Sequence, residues 1–442
     1  KNGRLGNQLF QLASTMGIAQ RSQQDAAFPE WPYERYFPNL NLNNNVQNFP
    51  VITEPRLGYF PELFEDKKNI DIHGYLQCEK YFHTDTKRLF SFHPDFSQQC
   101  RDAAPPGVFG RQVIAIHVRR GDYKESPIHR VLPALYYLLA LEEYFPNWRK
   151  CNLLFFGDDM EHVKFTFSGL SNAFFSEGLT DIADLCLMSQ CDHFITANST
   201  FSWWAAYLGE KEGTKVIYPK RYFKDNTKET SEYIYPAHWT AFDEEGMRLD
   251  LTDVTFTMPV AYDHSDRKEN IELALAFILS AYDTNVIIGE QGGNKFAYLE
   301  KYCDYMQFDF PVFHRTRMLN EMARRAGMPY AANYDCDVLL QPAQILETVY
   351  RLREGVDVVL PYDGRFVRIG RHEYAGLAET LELTPLTGQE IGKAFGSVGG
   401  CVFVDVKSFF LAGGENENFI SHAPEDVERI HRFKLLGLKV ER

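Results

Sequence analysis

Three hydroxyl side chains crowd the stretch Ala197-Asn198-Ser199-Thr200-Phe201-Ser202-Trp203-Trp204, which follows the apolar run His193-Phe194-Ile195-Thr196 and reads as a strand turning into a helix. Such a turn aims hydroxyls and free backbone N–H groups at one point, which suits an anionic group such as a diphosphate. Asn198, Ser199, Thr200 and Ser202 form the cradle, while Trp203 and Trp204 are expected to pack the helix on its sheet. A second anion-binding element stands upstream, where Val113–Val118 runs into Arg119-Arg120-Gly121-Asp122-Tyr123. The Arg119 guanidinium offers permanently charged, bidentate donors to a phosphate. The plainer alternative is a salt bridge between Arg119 and Asp122. Arg120 points the other way on an extended segment, so a structural role is an equal reading for it. His117 and Asp122 are candidates to take a proton from an attacking hydroxyl or to orient Arg119, and which of them is the base stays open. Gly3, Gly6 and Asn7 make a turn before a helix over 8–22, another place where backbone N–H groups could meet phosphate or sugar.

A different chemistry is spelled out further along. Asp335-Cys336-Asp337 closes the apolar run Tyr330–Tyr334 and presents two carboxylates to a divalent ion that would neutralise a diphosphate. A Gly399-Gly400 loop follows, and Glu425 and Asp426 then open a helix, either as reacting carboxylates or as ordinary N-terminal helix charges.

The elements that must position these groups alternate. From 113 to 220 the pattern predicts strands at 113–118, 152–156, 193–197 and 215–218 and helices at 133–144, 181–190 and 202–209, the signature of a doubly wound parallel sheet. Residues 1–105 carry long irregular connections. A polar stretch at 242–254 is the candidate linker, after which a strand (255–262), a helix (270–281), another strand (285–288) and a basic helix (321–326) restart the pattern.

At 442 residues the chain is long enough for two or three domains. Its net charge of −14 argues against general nucleic-acid or anionic-membrane binding, so anionic ligands must be held by local clusters. No run of about 18 apolar residues is present, so no membrane-spanning segment is expected. The chain opens at Lys1 inside a motif, which reads as a fragment; a soluble, cytoplasmic location is expected if nothing precedes it. The eight cysteines show no C-x-x-C spacing and read as buried free thiols, with disulfides left open. Arg120-Gly121-Asp122 and the sequon Asn198-Ser199-Thr200 are discounted, the first because it sits within a longer strand-end motif, the second because a glycan there would fill the diphosphate site.

Gly3-Arg4-Leu5-Gly6-Asn7-Gln8-Leu9-Phe10-Gln11, His117-Val118-Arg119-Arg120-Gly121-Asp122-Tyr123 and Asn198-Ser199-Thr200-Phe201-Ser202-Trp203-Trp204, in this order, resemble the α-1,2-fucosyltransferases over about residues 1–245. The resemblance implies an α/β protein with a GT-B type, Rossmann-like fold (1–248, acceptor part about 1–105, donor part about 106–248). It also implies inverting, metal-independent transfer of L-fucose from GDP-fucose to the 2-hydroxyl of a galactoside on an oligosaccharide or glycoconjugate, with Arg119 on the diphosphate. Asp158 then stands where a guanine-reading carboxylate is expected, or caps a helix.

The second set of motifs, Asp335-x-Asp337, the Gly-Gly loop and Glu425-Asp426, resembles GT-A glycosyltransferases of the galactosyltransferase and polypeptide N-acetylgalactosaminyltransferase type over 249–442. That resemblance implies Mn²⁺ on Asp335 and Asp337 with a UDP-sugar, galactose being the expected hexose. It implies Asp426 as base and Glu425 on the acceptor, with Arg267 and Glu290 contacting uridine or phosphate. Enzymes of this kind supply a further metal ligand, often His; His431 falls too early, so the expectation is either a ligand past Arg442 or His422 as a substitute. The whole reads as a bifunctional glycosyltransferase. The alternatives are a second domain that only docks acceptor, or a glycan-binding protein on retired transferase folds.

Overall fold

A computed structural model of the chain describes residues 3–64, 67–225, 227, 230–385, 390–391, 397–420 and 424–442. It divides into two compact units, residues 1–164 with 172–245, and residues 165–171 with 246–442.

The leading unit is built on a six-stranded sheet of β1 (Val113–Val118), β2 (Asn152–Gly157), β3 (Ala173–Phe175), β4 (His193–Ile195), β5 (Val216–Pro219) and β6 (Thr240–Phe242). Its order is β3-β2-β1-β4-β5-β6, with every neighbouring pair parallel. This 3-2-1-4-5-6 order is that of a doubly wound nucleotide-binding sheet, and its topological switch point lies between β1 and β4. All six residues of β1 are buried, as a central parallel strand covered on both faces requires. The flanking helices include α1 (Leu5–Arg21), α2 (Ala134–Tyr144), α3 (Asp181–Met188) and α4 (Thr200–Gly209). Trp203 and Trp204 are fully buried; the Trp203 ring lies 4.5 Å from that of Phe10 on α1 and stacks 4.9 Å from Tyr207. Expected and observed elements agree to within a few residues. The edge strands β3 and β6 are additions, and the expected 242–254 linker shrinks to the residues between Phe242 and Leu249, where the next strand already begins.

The second unit holds a seven-stranded sheet of β7 (Leu249–Ala261), β8 (Tyr282–Gln291), β9 (Asp304–Phe308), β10 (Tyr330–Tyr334), β11 (Val358–Val359), β12 (Cys401–Asp405) and β13 (Val440–Glu441). The order is β9-β8-β7-β10-β12-β11-β13. The first four strands run parallel, and β12 is antiparallel to both of its neighbours. Within the unit the parallel part again reads 3-2-1-4, which puts a second switch point between β7 and β10. Helices α5 (Asp266–Ala281), α6 (Arg315–Ala326), α7 (Pro342–Arg353) and α8 (Glu425–Leu435) complete the part that matters here. The basic helix expected at 321–326 starts two turns earlier, which makes Arg315 its first residue.

All eight cysteines are free, and all but Cys303 are buried. Among the described residues no helix is long and apolar enough to cross a membrane.

Candidate functional sites at the two switch points

Ligands of open α/β sheets bind beyond the carboxyl ends of the strands at the switch point. In the leading unit those ends carry Arg119 after β1 and Asn198-Ser199 after β4.

The loop after β1 is pinned by Asp158, which follows β2. Asp158 Oδ1 accepts from the backbone N–H groups of Arg120 (2.9 Å) and Gly121 (3.2 Å), and its Oδ2 lies 2.9 Å from Arg119 Nη1. Gly121 is required here, because a Cβ would sit 2.4 Å from Asp158 Oδ2. Asp158 therefore positions Arg119, and among the described residues its hydrogen bonds and ion pair go to this loop. The second Arg119 nitrogen, Nη2, lies 2.5 Å from Asp122 Oδ1, and Asp122 Oδ2 lies 3.4 Å from Arg4 Nη2. The Arg119–Asp122 salt bridge is thus present, yet the guanidinium is only 11% exposed and Asp122 is half exposed, so the pair is not an ordinary surface one. Arg119 also lies 5.1 Å over the ring of Tyr123, whose hydroxyl donates to the Asn198 carbonyl (2.9 Å) and ties the two strand ends together. His117 is buried with its ring 5.3 Å from Phe201. Burial, reinforced by Arg119, pulls its pKa down to about 3, so it stays neutral and weakly basic.

The hydroxyl cradle divides. Ser199 caps α4 by accepting from Phe201 N–H (3.3 Å). The Thr200 hydroxyl donates to Asn7 Oδ1 (2.8 Å), which links the first turn of α4 to that of α1. Ser202 is turned inward onto the carbonyls of Ala197 and Ser199, and the Asn198 amide nitrogen donates to the carbonyls of Arg130 (2.8 Å) and Tyr222 (2.7 Å), while its Oδ1 is buried with no hydrogen-bond partner among the described residues. Both are fully buried and brace the turn, so the ligand-facing role expected of them is corrected. The same burial removes Asn198 as a glycosylation site. Gly6 earns its place by packing: a Cβ would lie 2.6 Å from the Thr200 carbonyl carbon and 2.7 Å from Phe201 N. Two helix N-termini, each with free N–H groups and a partial positive charge, are thereby brought together. Sequence reasoning missed Arg4, Tyr123 and Gln77, the last of which donates to the same Asn7 oxygen (2.9 Å).

In the second unit the switch point carries Asp335 after β10. Its Oδ1 accepts from Arg315 Nη2 (2.7 Å) and Nε (3.2 Å), and burial raises its pKa against the pull of Arg315. Arg315 Nη1 also reaches Asp426 (3.4 Å) and Glu425 (3.5 Å), so one guanidinium joins all three carboxylates. Burial likewise raises the Glu425 carboxyl, and its Oε2 is buried without a hydrogen-bond partner. Asp426 is held from behind by Arg429 (2.8 Å), itself clamped by Glu415 (2.6 Å), which accepts further from Asn333 (2.8 Å). Gly399 leaves room for Asp426: a Cβ there would lie 2.6 Å from Oδ2. Arg267 pairs with Asp337 (3.0 Å) and Asp263 (3.2 Å). Glu290, expected on uridine or phosphate, is fully buried and accepts from Lys295 N–H, Phe296 N–H and the Tyr305 hydroxyl, each at 2.8 Å. It anchors its own loop, and that expectation is corrected.

Oxygen donors such as Asp335 and Asp337 suit a hard divalent ion. Each carboxylate is already engaged by a guanidinium, however, and among the described residues no group of three or more His, Cys, Asp or Glu could hold a metal. His422 lies outside the described residues, and His431 is exposed on α8. Among the described residues the donor set does not complete a manganese site.

With this geometry in view, the chain's likeness to known proteins falls into place. Residues 63–243 match the family model described as glycosyl transferase family 11. The chain is 36% identical over 153 residues to an O-antigen biosynthesis glycosyltransferase, WbnK, of Escherichia coli, a match covering 32% of this chain and 50% of that protein. It is 25% identical over 263 residues to an α-1,2-colitosyltransferase of Escherichia coli, covering 50% of this chain and 90% of that protein. It is 25% identical over 236 residues to galactoside α-(1,2)-fucosyltransferase 1 of Rattus norvegicus, covering 47% and 61%. The chain thus spans half of the first of these relatives and under two thirds of the third. Among solved structures it is similar to the catalytic domain of Drosophila β1,4-galactosyltransferase 7 in complex with xylobiose, at 15% identity, over 44% of this chain and 64% of that one. The TM-score there is 0.27, a level that carries no inference. The likeness therefore falls on the leading unit, where residues 63–243 match a glycosyltransferase family model.

Proposed function

We propose that the leading unit transfers L-fucose from GDP-fucose to the 2-hydroxyl of a terminal galactoside, with inversion and without a metal. The observation that carries this reading is a nearly buried guanidinium at the switch point, beside two helix N-termini that Gly6 allows to converge. The departing GDP gains charge on its β-phosphate, and fixed donors aimed at that charge stabilise the transition state more than the ground state. Without ligand, Arg119 is neutralised by Asp122 and Asp158. Asp158, held by two backbone N–H groups, stays; Asp122, half exposed, gives way to the diphosphate. Released from Arg119, Asp122 becomes the base for the acceptor hydroxyl. His117, neutral and depressed to about 3, is the weaker candidate. The named activities of the relatives support the reading, and the colitosyltransferase makes the donor's deoxysugar the point to test.

We infer a second nucleotide-sugar site in the second unit, with Asp426 as base, Glu425 on the acceptor and galactose from UDP-galactose as the expected transfer. The placement of Asp335 and Asp337 at its own 3-2-1-4 switch point favours this over a purely acceptor-docking role. The decisive experiment incubates the protein with GDP-fucose, UDP-galactose and galactoside acceptors, with Mn²⁺ or EDTA. Fucose transfer should persist in EDTA and vanish in Arg119→Ala. Abolition by EDTA overturns the metal-free reading, and glycan binding with no release of GDP points instead to a retired transferase. UDP that shifts the melting transition neither with nor without Mn²⁺ removes the second site.

A further inference from the structure

The turn Gly74–Cys78 is strained backbone wired directly into the leading unit's site. Leu76 has φ +53° and is 1% exposed. A branched apolar residue in the left-handed region is disfavoured and persists only where its surroundings over-determine it. Here they do. Glu54 Oε2 accepts from the N–H groups of both Tyr75 (2.9 Å) and Leu76 (3.0 Å), and the Leu76 carbonyl accepts from the Ser14 hydroxyl (2.8 Å) and from Cys78 N–H (2.8 Å). Gly74 is part of the same lock, since a Cβ would lie 2.6 Å from Glu54 Cβ.

Two side chains result from this turn. Gln77 is buried and donates to Asn7 Oδ1, the oxygen that also takes the Thr200 hydroxyl, so the turn is bonded to the point where α1 and α4 converge. Tyr75 stays 43% exposed and, among the described residues of this unit, is the only exposed Phe, Tyr or Trp. A lone exposed ring is ordinary. A ring held out by a locked, strained turn, two residues from a buried contact to the candidate site, is not.

We propose that Tyr75 and Gln77 form the acceptor subsite, the Tyr75 ring covering the apolar C–H face of a β-galactoside while Gln77 fixes Asn7 beside it. A galactopyranose has its axial 4-hydroxyl on one side, which leaves a continuous C–H face on the other, and an aromatic ring with a polar tip suits that face. This rests on the transferase reading above but is tested separately from it. Lactose binding is followed by saturation-transfer NMR with GDP present, and fucosylation of lactose by steady-state kinetics, in wild type, Tyr75→Ala and Tyr75→Phe. Tyr75→Ala should raise the KM for lactose about 5- to 20-fold. The KM for GDP-fucose should stay within about twofold, and Tyr75→Phe should restore the wild-type value, as stacking without need of the hydroxyl requires. An unchanged KM for lactose in Tyr75→Ala overturns the subsite, as does a parallel fall in GDP affinity. If the wild type transfers no fucose, the transferase reading fails alone. The subsite then stands if lactose saturation transfer is seen in wild type and lost in Tyr75→Ala, and falls if lactose binds neither or both.

Discussion

Replacing Gly6 by Ala sets two effects of opposite sign against each other. Helix propensity favours Ala over Gly by up to about 1 kcal/mol, and less in the first turn, where Gly6 lies. Taken alone, that would stabilise the protein. The packing says otherwise. The new Cβ would stand 2.6 Å from the Thr200 carbonyl carbon and 2.7 Å from Phe201 N, where ordinary contact begins at 3.4 Å. Both are backbone atoms of the first turn of α4, so no side chain can swing away, and the helices must part by the difference, 3.4 − 2.6 = 0.8 Å. Overpacking of this kind costs about 1–3 kcal/mol, leaving a net loss of about 1–2 kcal/mol after the propensity gain. In a unit of this size that corresponds to a fall in melting temperature of about 2–8 °C. The functional consequence is larger, because the displaced groups are the ones proposed to face the diphosphate; GDP affinity should fall at least about tenfold, roughly 1.4 kcal/mol. Differential scanning calorimetry and titration calorimetry with GDP measure the two effects. A melting temperature that rises, with GDP bound as tightly as before, would show that the helices are not held together through Gly6 and would refute the reasoning.

Three further outcomes follow from the same geometry. Arg119→Lys keeps the charge but loses the fork, and should weaken GDP about 10- to 100-fold in titration calorimetry, the value of one or two charge-assisted bonds; an unchanged Kd removes Arg119 from the diphosphate. His117 is held below its unfolded value, so between pH 6.5 and 3 the unfolded chain binds a proton that the native state refuses, and stability falls as pH drops. The cost is about 1.4 kcal/mol per pH unit, about 2 kcal/mol at pH 5, and His117→Asn should flatten the pH dependence of denaturant unfolding by one proton; the same slope in wild type and variant excludes this. Glu415→Gln leaves Arg429, 1% exposed, with Asp426 as its remaining charged partner and should destabilise the second unit by about 3 kcal/mol. Calorimetry should show that loss in the transition that GDP does not shift, and a change under 1 kcal/mol would mean that the pair is not a buried one.

The sheets were legible in the sequence because their central strands are buried on both faces. Val113–Val118 and Asn152–Gly157 read as continuous apolar runs, which only a covered parallel strand produces. The edge strands Ala173–Phe175 and Thr240–Phe242 were not legible, since three residues are too few to carry a period. Arg119 stood out as a candidate because a guanidinium at the carboxyl end of a central strand suits an anion. Hydroxyl and amide side chains gave no such guidance: Ser202 and Asn198 bond backbone carbonyls with the same atoms that a ligand would use, and sequence cannot distinguish the two. Glu290 misled for a related reason, its carboxylate being saturated by its own loop. Gln77 was invisible because its partner Asn7 lies 70 residues away and no local pattern records the contact.

The two units reach their switch points with the same ingredients in opposite proportion. In the leading unit one guanidinium, Arg119, is shared by two carboxylates; in the second, the guanidinium of Arg315 is shared by three. Paired charges keep each strand end ordered without ligand, since an unpaired nearly buried charge would be costly. The pairing also decides what can enter. An anion at the leading site needs only to displace Asp122, the half-exposed member, because Asp158 is tied to backbone N–H groups and the loop keeps its shape. At the second site no member is so free. Arg315 is 12% exposed and bound on three sides, and Asp426 is held again by Arg429 within a buried network that runs through Glu415 and Asn333 to Thr257. A ligand there must bring its own compensation for whichever ion pair it breaks. Binding at the second site should therefore depend on what accompanies the nucleotide, whereas binding at the leading site depends on a single carboxylate moving aside. That difference, rather than any contrast in fold, is what would set ligand binding at the two switch points apart.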